Sequence, residues 1–253
     1  MSYEESSVEE AAVNPSLAAI ADYLDSYLGS ADIPNDQNGI YRPSQRLVKR
    51  IGLAIEPWTG IETWVQQNHL DALCLHRPWK LNMQVLPEEI GILAYHLAFD
   101  LKLTFGFNRR LADVLQMTKL TPFASKDGLP LGMIGDISSM PLHIFVEYLG
   151  ETFGVFPTIE RYYRETVSRV ALVGAMTDTL IREAAEQGVD LYITGQFRQH
   201  ARRAVSENGM TVAVVGHTVG ELWGIGTLAS LLRERYASLD VVVAPKKMMT
   251  VGN

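Results

Sequence analysis

Apolar residues in this chain fall into two recurring patterns: short unbroken aliphatic runs, and longer stretches with an apolar residue every three or four positions. The spaced pattern predicts helices over 14–28 (with Pro15 in the permissive first turn), 63–68, 87–99, 108–117, 141–153, 178–187, 197–208 and 219–236. The unbroken runs predict strands at 47–55, 72–75, 167–173, 191–194, 211–215 and 241–243. Residues 29–44, rich in Asp, Asn, Pro and Gly, read as a loop, and the Gly-rich stretch 126–135 as the connection between two domains. Strands that alternate with helices of this length argue for an α/β architecture.

Composition narrows the function classes. The 253 residues are 47% hydrophobic and 20% charged, an ordinary globular balance with room for one large domain or two smaller ones. The net charge of -7 is concentrated in Glu4, Glu5, Glu9 and Glu10, within a tail over 1–12 that has no basic residue. Without those four the count is 22 basic against 25 acidic (29 less 4), so nothing general favours nucleic acid or an anionic membrane as partner. Cys74 is the only cysteine, which rules out an intramolecular disulfide; its apolar setting predicts a buried structural thiol, and a cytoplasmic location is expected. The absence of a long apolar run or a signal-like start leads to the expectation of neither membrane spanning nor secretion.

Four segments place ligand-type side chains at or near predicted strand ends, where α/β proteins build sites. His76 leaves an apolar strand in Leu75-His-Arg-Pro78, and reads either as a loop histidine or as a ligand. His96 and Asp100 stand four apart, so that the carboxylate could bind a metal while the imidazole orients it; a helix-end histidine with a capping Asp is the plainer alternative. His217 and Glu221, also four apart, could converge on one metal from a single helical turn, and Thr218 with Glu221 equally resembles a capping box. Arg198, His200, Arg202 and Arg203 form a basic segment able to hold a phosphate, or simply a solvated helix face. His69 and His143 are assigned to structure. No serine sits in a nucleophile elbow, and neither a P-loop nor a dinucleotide glycine fingerprint is present.

Taken in order, Asp36-Gln-Asn-Gly39, Leu75-His-Arg-Pro78, His96-Leu-Ala-Phe-Asp100, Tyr192-Ile-Thr-Gly195 with His200, and Gly216-His-Thr-Val-Gly-Glu221 resemble the motif series of the YbgI-like dinuclear-metal-centre proteins, also called the NGG-interacting-factor-three-like family. The resemblance spans about residues 15–245. It implies two interleaved α/β domains, the first (1–125 and 216–253) completed by the C-terminal segment and the second covering 126–215. It further implies a homo-oligomer, a hexameric ring, with one or two divalent ions per chain (zinc, iron or manganese) held by His76, Asp100, His217 and Glu221.

Three departures from the family pattern bear on chemistry. His96-Leu-Ala-Phe-Asp100 stands for the family's His-Thr-Asn-Leu-Asp, with apolar groups in place of polar supporting ones. Arg77 stands where the family has a second histidine, and a guanidinium has no lone pair to give a cation. One metal then remains, with Arg77 neutralising a carboxylate or binding a phosphate, or the site is metal-free. Thr194-Gly195-Gln196 likewise replaces Thr-Gly-Glu. The expected function is a metal-dependent hydrolase acting on a nucleotide or another phosphorylated small molecule, with Glu221 or Asp100 as proton acceptor and Arg77, Arg198 and His200 holding the anion. The alternative is a non-catalytic adaptor or regulator that uses the ring scaffold.

Overall fold

A computed structural model describes residues 13–161 and 163–249 of the protein. The acidic tail expected over 1–12 lies outside them. The chain opens with α1 (Leu17–Leu28), whose N-terminus is closed by the Ser16 hydroxyl accepting from the Ala19 N–H, so Pro15 stands just outside the helix and not in its first turn. After it come β1 (Asn38–Arg42), β2 (Arg50–Ala54), α2 (Ile61–Gln67), β3 (Ala72–Leu75), β4 (Gly91–Tyr95), α3 (Leu97–Leu103) and α4 (Arg109–Val114). A hairpin of β5 (Thr118–Lys126) and β6 (Leu129–Pro141) leads into α5 (Leu142–Phe153), β7 (Thr158–Glu160), β8 (Thr166–Val173), α6 (Asp178–Glu186) and β9 (Leu191–Thr194). The chain closes with α7 (Arg202–Glu207), β10 (Thr211–Val214), α8 (His217–Arg235), β11 (Asp240–Val243) and α9 (Lys246–Met249).

The strands form two mixed sheets, ordered β1-β4-β3-β2-β11 and β5-β6-β8-β9-β10-β7. In the first, β4, β3, β2 and β11 run parallel and β1 is antiparallel at the edge. The last strand thus completes the sheet that the first ones begin. Both parallel units use the same device at the strand starts. Asp71 accepts the Lys49 and Arg50 N–H groups ahead of β3, and Asp190 accepts those of Ser168 and Arg169 ahead of β9. Each carboxylate ties the start of one strand to the start of its neighbour.

Four expectations need correction. Residues 87–99 are not a helix: Gly91–Tyr95 is a strand, buried along its whole length between β1 and β3. A continuous apolar run fits a doubly covered strand as well as a buried helix. A Cβ at Gly91 would lie 2.7 Å from the Leu17 side chain, so α1 rests directly on this strand. Within the expected loop 29–44, residues 38–42 form β1. The expected inter-domain connection at 126–135 is the β5–β6 hairpin, with Asp127 and Gly128 both at positive φ (52° and 81°), as an Asp-Gly two-residue turn requires. A division at 125/126 therefore falls inside that hairpin, and the chain enters the second sheet at Thr118. Finally, the helix expected over 197–208 is a 3-10 turn at Gln199–Ala201 followed by α7.

Candidate metal centre

β3 and β4 are adjacent and parallel, so the residues just beyond them emerge side by side at the carboxyl edge of the first sheet. The residue after β3 is His76 and the residue after β4 is His96. His96 caps α3 and places Asp100 in its first turn, with the Asp100 N–H donating to the His96 carbonyl at 3.0 Å. Donor atoms of His76, His96 and Asp100 all lie within 4.8 Å of one another, close enough to share one cation. His96, read from the sequence as a supporting residue, is thus a potential ligand.

Both histidines are held by partners behind them. His76 Nδ1 lies 2.9 Å from the Tyr95 carbonyl, an acceptor, so Nδ1 donates to it and Nε2 is the nitrogen turned toward Asp100 and Glu221. His96 Nδ1 lies 2.8 Å from Asp36 Oδ1, and the other Asp36 oxygen accepts the Leu97 N–H. Burial alone would raise the Asp36 pKa, but the hydrogen bonds from His96 and Leu97 outweigh it and hold the carboxyl below its usual range. Asp36, the first residue of the Asp36-Gln-Asn-Gly39 motif, reaches His96 from the loop before β1, a contact that the spacing of His and acidic pairs did not reveal.

The donor set fits a cation. His76 Nε2 and Asp100 Oδ1 are buried, have no hydrogen-bond partner and stand 3.5 Å apart. His76 Nε2 is also 3.3 Å from Glu221 Oε1. His76 Nε2 thus faces two carboxylates, an arrangement that a positive charge between them stabilises. Burial raises the Asp100 pKa, opposed by His76 and reinforced by Glu221.

Glu221 is committed elsewhere. Its side chain is 1% exposed, and both its oxygens accept from the Arg77 guanidinium, Oε1 from Nη1 and Oε2 from Nη2 at 3.2 Å. Burial would raise its pKa, yet contacts with His217, His76 and Arg77 hold it far below the ordinary carboxylate range. His217 Nε2 sits 3.2 Å from the same Oε1, and that bond raises the His217 pKa. Arg77 also reaches Glu56 Oε2, at 3.8 Å. His217 and Glu221 therefore form, with Arg77, a second cluster sharing His76 with the first.

Two glycines let α8 bring Glu221 to this place. A Cβ at Gly220 would stand 2.3 Å from Phe105, and one at Gly224 would stand 2.5 Å from Phe99. The close approach at Gly220 admits a core ring. Both phenylalanines are buried, so Gly220→Ala should cost about 1–3 kcal/mol of overpacking, read as a lower urea midpoint. An unchanged midpoint would show that the ring moves aside freely. Gly195, after β9, abuts the same helix, its hypothetical Cβ lying 3.1 Å from the His217 Cα.

The remaining candidates stand apart. Arg198 and His200 are exposed and make no hydrogen bond or ion pair with the cluster among the described residues. His69 and His143 are exposed as well. Cys74 is buried, and burial pushes its thiol up to about 12, which leaves it inert at neutral pH. Trp79 is 55% exposed and meets the His96 ring edge-on, with centroids 4.8 Å apart. No helix among the described residues is long and apolar enough to cross a membrane.

Comparison with known proteins places the chain in a family. A protein from Pyrococcus abyssi named GTP cyclohydrolase 1 type 2 homolog is 26% identical over 240 residues, 88% of this chain and 96% of the relative. A Chlamydia trachomatis protein of the same name is 33% identical over 164 residues, 64% of each chain. Among solved structures, protein ybgI, titled as of unknown function, superposes with a TM-score of 0.72 at 24% identity, covering 89% of this chain and 96% of its own. Reduced HcgD from Methanocaldococcus jannaschii gives 0.72 at 19% identity, covering 91% and 98%. The sequence profile of the Duf34/NIF3 (NGG1p interacting factor 3) family matches residues 68–249, from before β3 to the end of α9, and the chain belongs to that family.

Proposed function

We propose that the protein binds one divalent ion on His76, His96 and Asp100 and hydrolyses a nucleotide or related phosphorylated small molecule beside it. The observation that carries this reading is the pair of buried, partnerless donor atoms, His76 Nε2 and Asp100 Oδ1, facing each other at 3.5 Å. Arg77 replaces a second ion: it supplies fixed positive charge to Glu221 through two hydrogen bonds where another cation would sit. The relatives' name supports a purine nucleotide as the first substrate to try.

A divalent ion bound there supplies Lewis acidity. The chain's own groups do the rest. Tyr95 and Asp36 fix the two imidazoles, and the Arg77 charge draws an anionic substrate toward the centre. His217, 61% exposed and hydrogen-bonded to Glu221, can give or take a proton at Nε2 at the solvent side. Three protein donors leave coordination positions open, as catalysis requires and a closed structural site does not. Oligomeric assembly is part of the same proposal, carried by the family resemblance.

Metal analysis of the untagged, untreated protein tests the first half; about one ion per chain is expected, and a content near zero overturns it. Turnover of GTP, monitored by chromatography before and after chelation, tests the second. Chelator-sensitive product formation is expected. Metal without turnover of GTP or other nucleotides would leave the non-catalytic reading in possession.

A further inference from the structure

Beside the centre, the first sheet holds a second feature that the chemistry above does not use. From β2 the chain moves one way across the sheet, to β3 and then β4, and it returns at the end to place β11 on the other side of β2. The strand order therefore reverses between β2 and β11. Trp64 of α2 lies against Gly52 of β2, and α8 packs on β2 and β11. A crevice opens beyond the carboxyl ends of these strands. In open α/β sheets this reversal is where ligands bind.

A crevice of about 650 Å³ lies at that point, lined by residues 56–62 after β2, by 80–82 and Val85 after β3, and by Met248 after β11. Its volume falls within the range of small-molecule sites. Trp58, Leu81, Val85 and Met248 make the apolar surface, and Trp58 is backed by Trp64 with ring centroids 5.4 Å apart. Glu62, in the first turn of α2, and Lys80, in the loop after β3, have no ion-pair partner among the described residues. Glu56 lines the same crevice and pairs with Arg77, so the crevice adjoins the Arg77–Glu221 cluster.

The geometry points to a ligand site in this crevice for a flat heteroaromatic ring bearing an amine and an anionic group. The ring lies along Trp58 and Leu81, Glu62 accepts from the amine, and Lys80 pairs with the anion. The site deepens the function proposed above by giving the substrate's ring a seat next to the centre. It rests on that reading for the identity of the centre alone, since ring binding needs no metal.

Guanosine 5′-monophosphate is a suitable probe, titrated calorimetrically into chelator-treated full-length protein. Wild type should bind it saturably. Lys80→Glu should weaken binding at least tenfold, and Val85→Trp, which fills the crevice from its exposed rim, should weaken it similarly. Removing the phosphate, with guanosine as probe, should match the loss in Lys80→Glu. His76→Ala should bind within about twofold of wild type. Circular dichroism melts confirm that each variant is folded, and metal analysis of untreated samples reports separately on the centre. Absence of saturable binding by wild type, undiminished wild-type affinity in the Lys80→Glu or Val85→Trp variant, or loss confined to His76→Ala would each overturn the assignment.

Discussion

Arg77→Ala should lower the unfolding free energy by about 3 kcal/mol, the low end of the range for removing one partner of a buried ion pair. The reason is Glu221, 1% exposed and held ionised, with Arg77 as the donor to both of its oxygens. The remaining exposure of Arg77, 21%, and the contacts from His217 and His76 to Glu221 keep the loss from the upper end. Urea unfolding of the two proteins measures it. A divalent ion should restore much of the lost stability in this variant, because the vacated space then exposes Glu221, His76 and His217 to a cation. Arg77→His should go further and raise the metal content from about one ion per chain to about two. An Arg77→Ala protein as stable as wild type in the absence of added metal would show that the guanidinium does not neutralise Glu221 as described.

The second large effect separates two donor sets. If His76, His96 and Asp100 hold the ion, His76→Ala and His96→Ala should purify with metal at background level, while His217→Ala should retain it. Asp36→Ala, which frees the back of His96, should weaken metal affinity roughly 10- to 100-fold without abolishing it. Competition with a chelator of known strength resolves these cases. Metal loss in His217→Ala alongside full retention in His96→Ala would return the ion to the His217–Glu221 pair.

That reassignment of His96 shows how reading the fold and reading the site depend on each other. With 87–99 taken as a helix, His96 and Asp100 are two residues of one turn, and the imidazole reads as a helper. With Gly91–Tyr95 a strand, His96 becomes the residue just past a strand end, beside His76, which leaves the end of the neighbouring strand. A doubly buried strand carries no alternation by which to recognise it. His76, Asp100 and the substitution at Arg77 are legible in the sequence, since residue type and local motif carry them. The pairing of Arg77 with Glu221, 144 positions away, is not, because it depends on α8 crossing to the first sheet. The glycines and proline of 126–135 suggest a linker, although Asp127-Gly128 carries a two-residue turn signal. Arg198 and His200 belong to a basic pattern that the fold leaves in solvent.

The pairing of β11 with β2 fixes an order of events during synthesis. Arg50 and Asp240, hydrogen-bonded at 2.7 Å, are separated by 190 positions. While the ribosome makes everything between them, one edge of β2 has no partner, and until position 221 is reached Arg77 lacks its carboxylate. The strands at 118–214, which make up the second sheet, have all their partners in hand by then. A chain stopped short of Asp240 would carry a complete second sheet and a first sheet with an open edge, a form prone to pairing with its own copies.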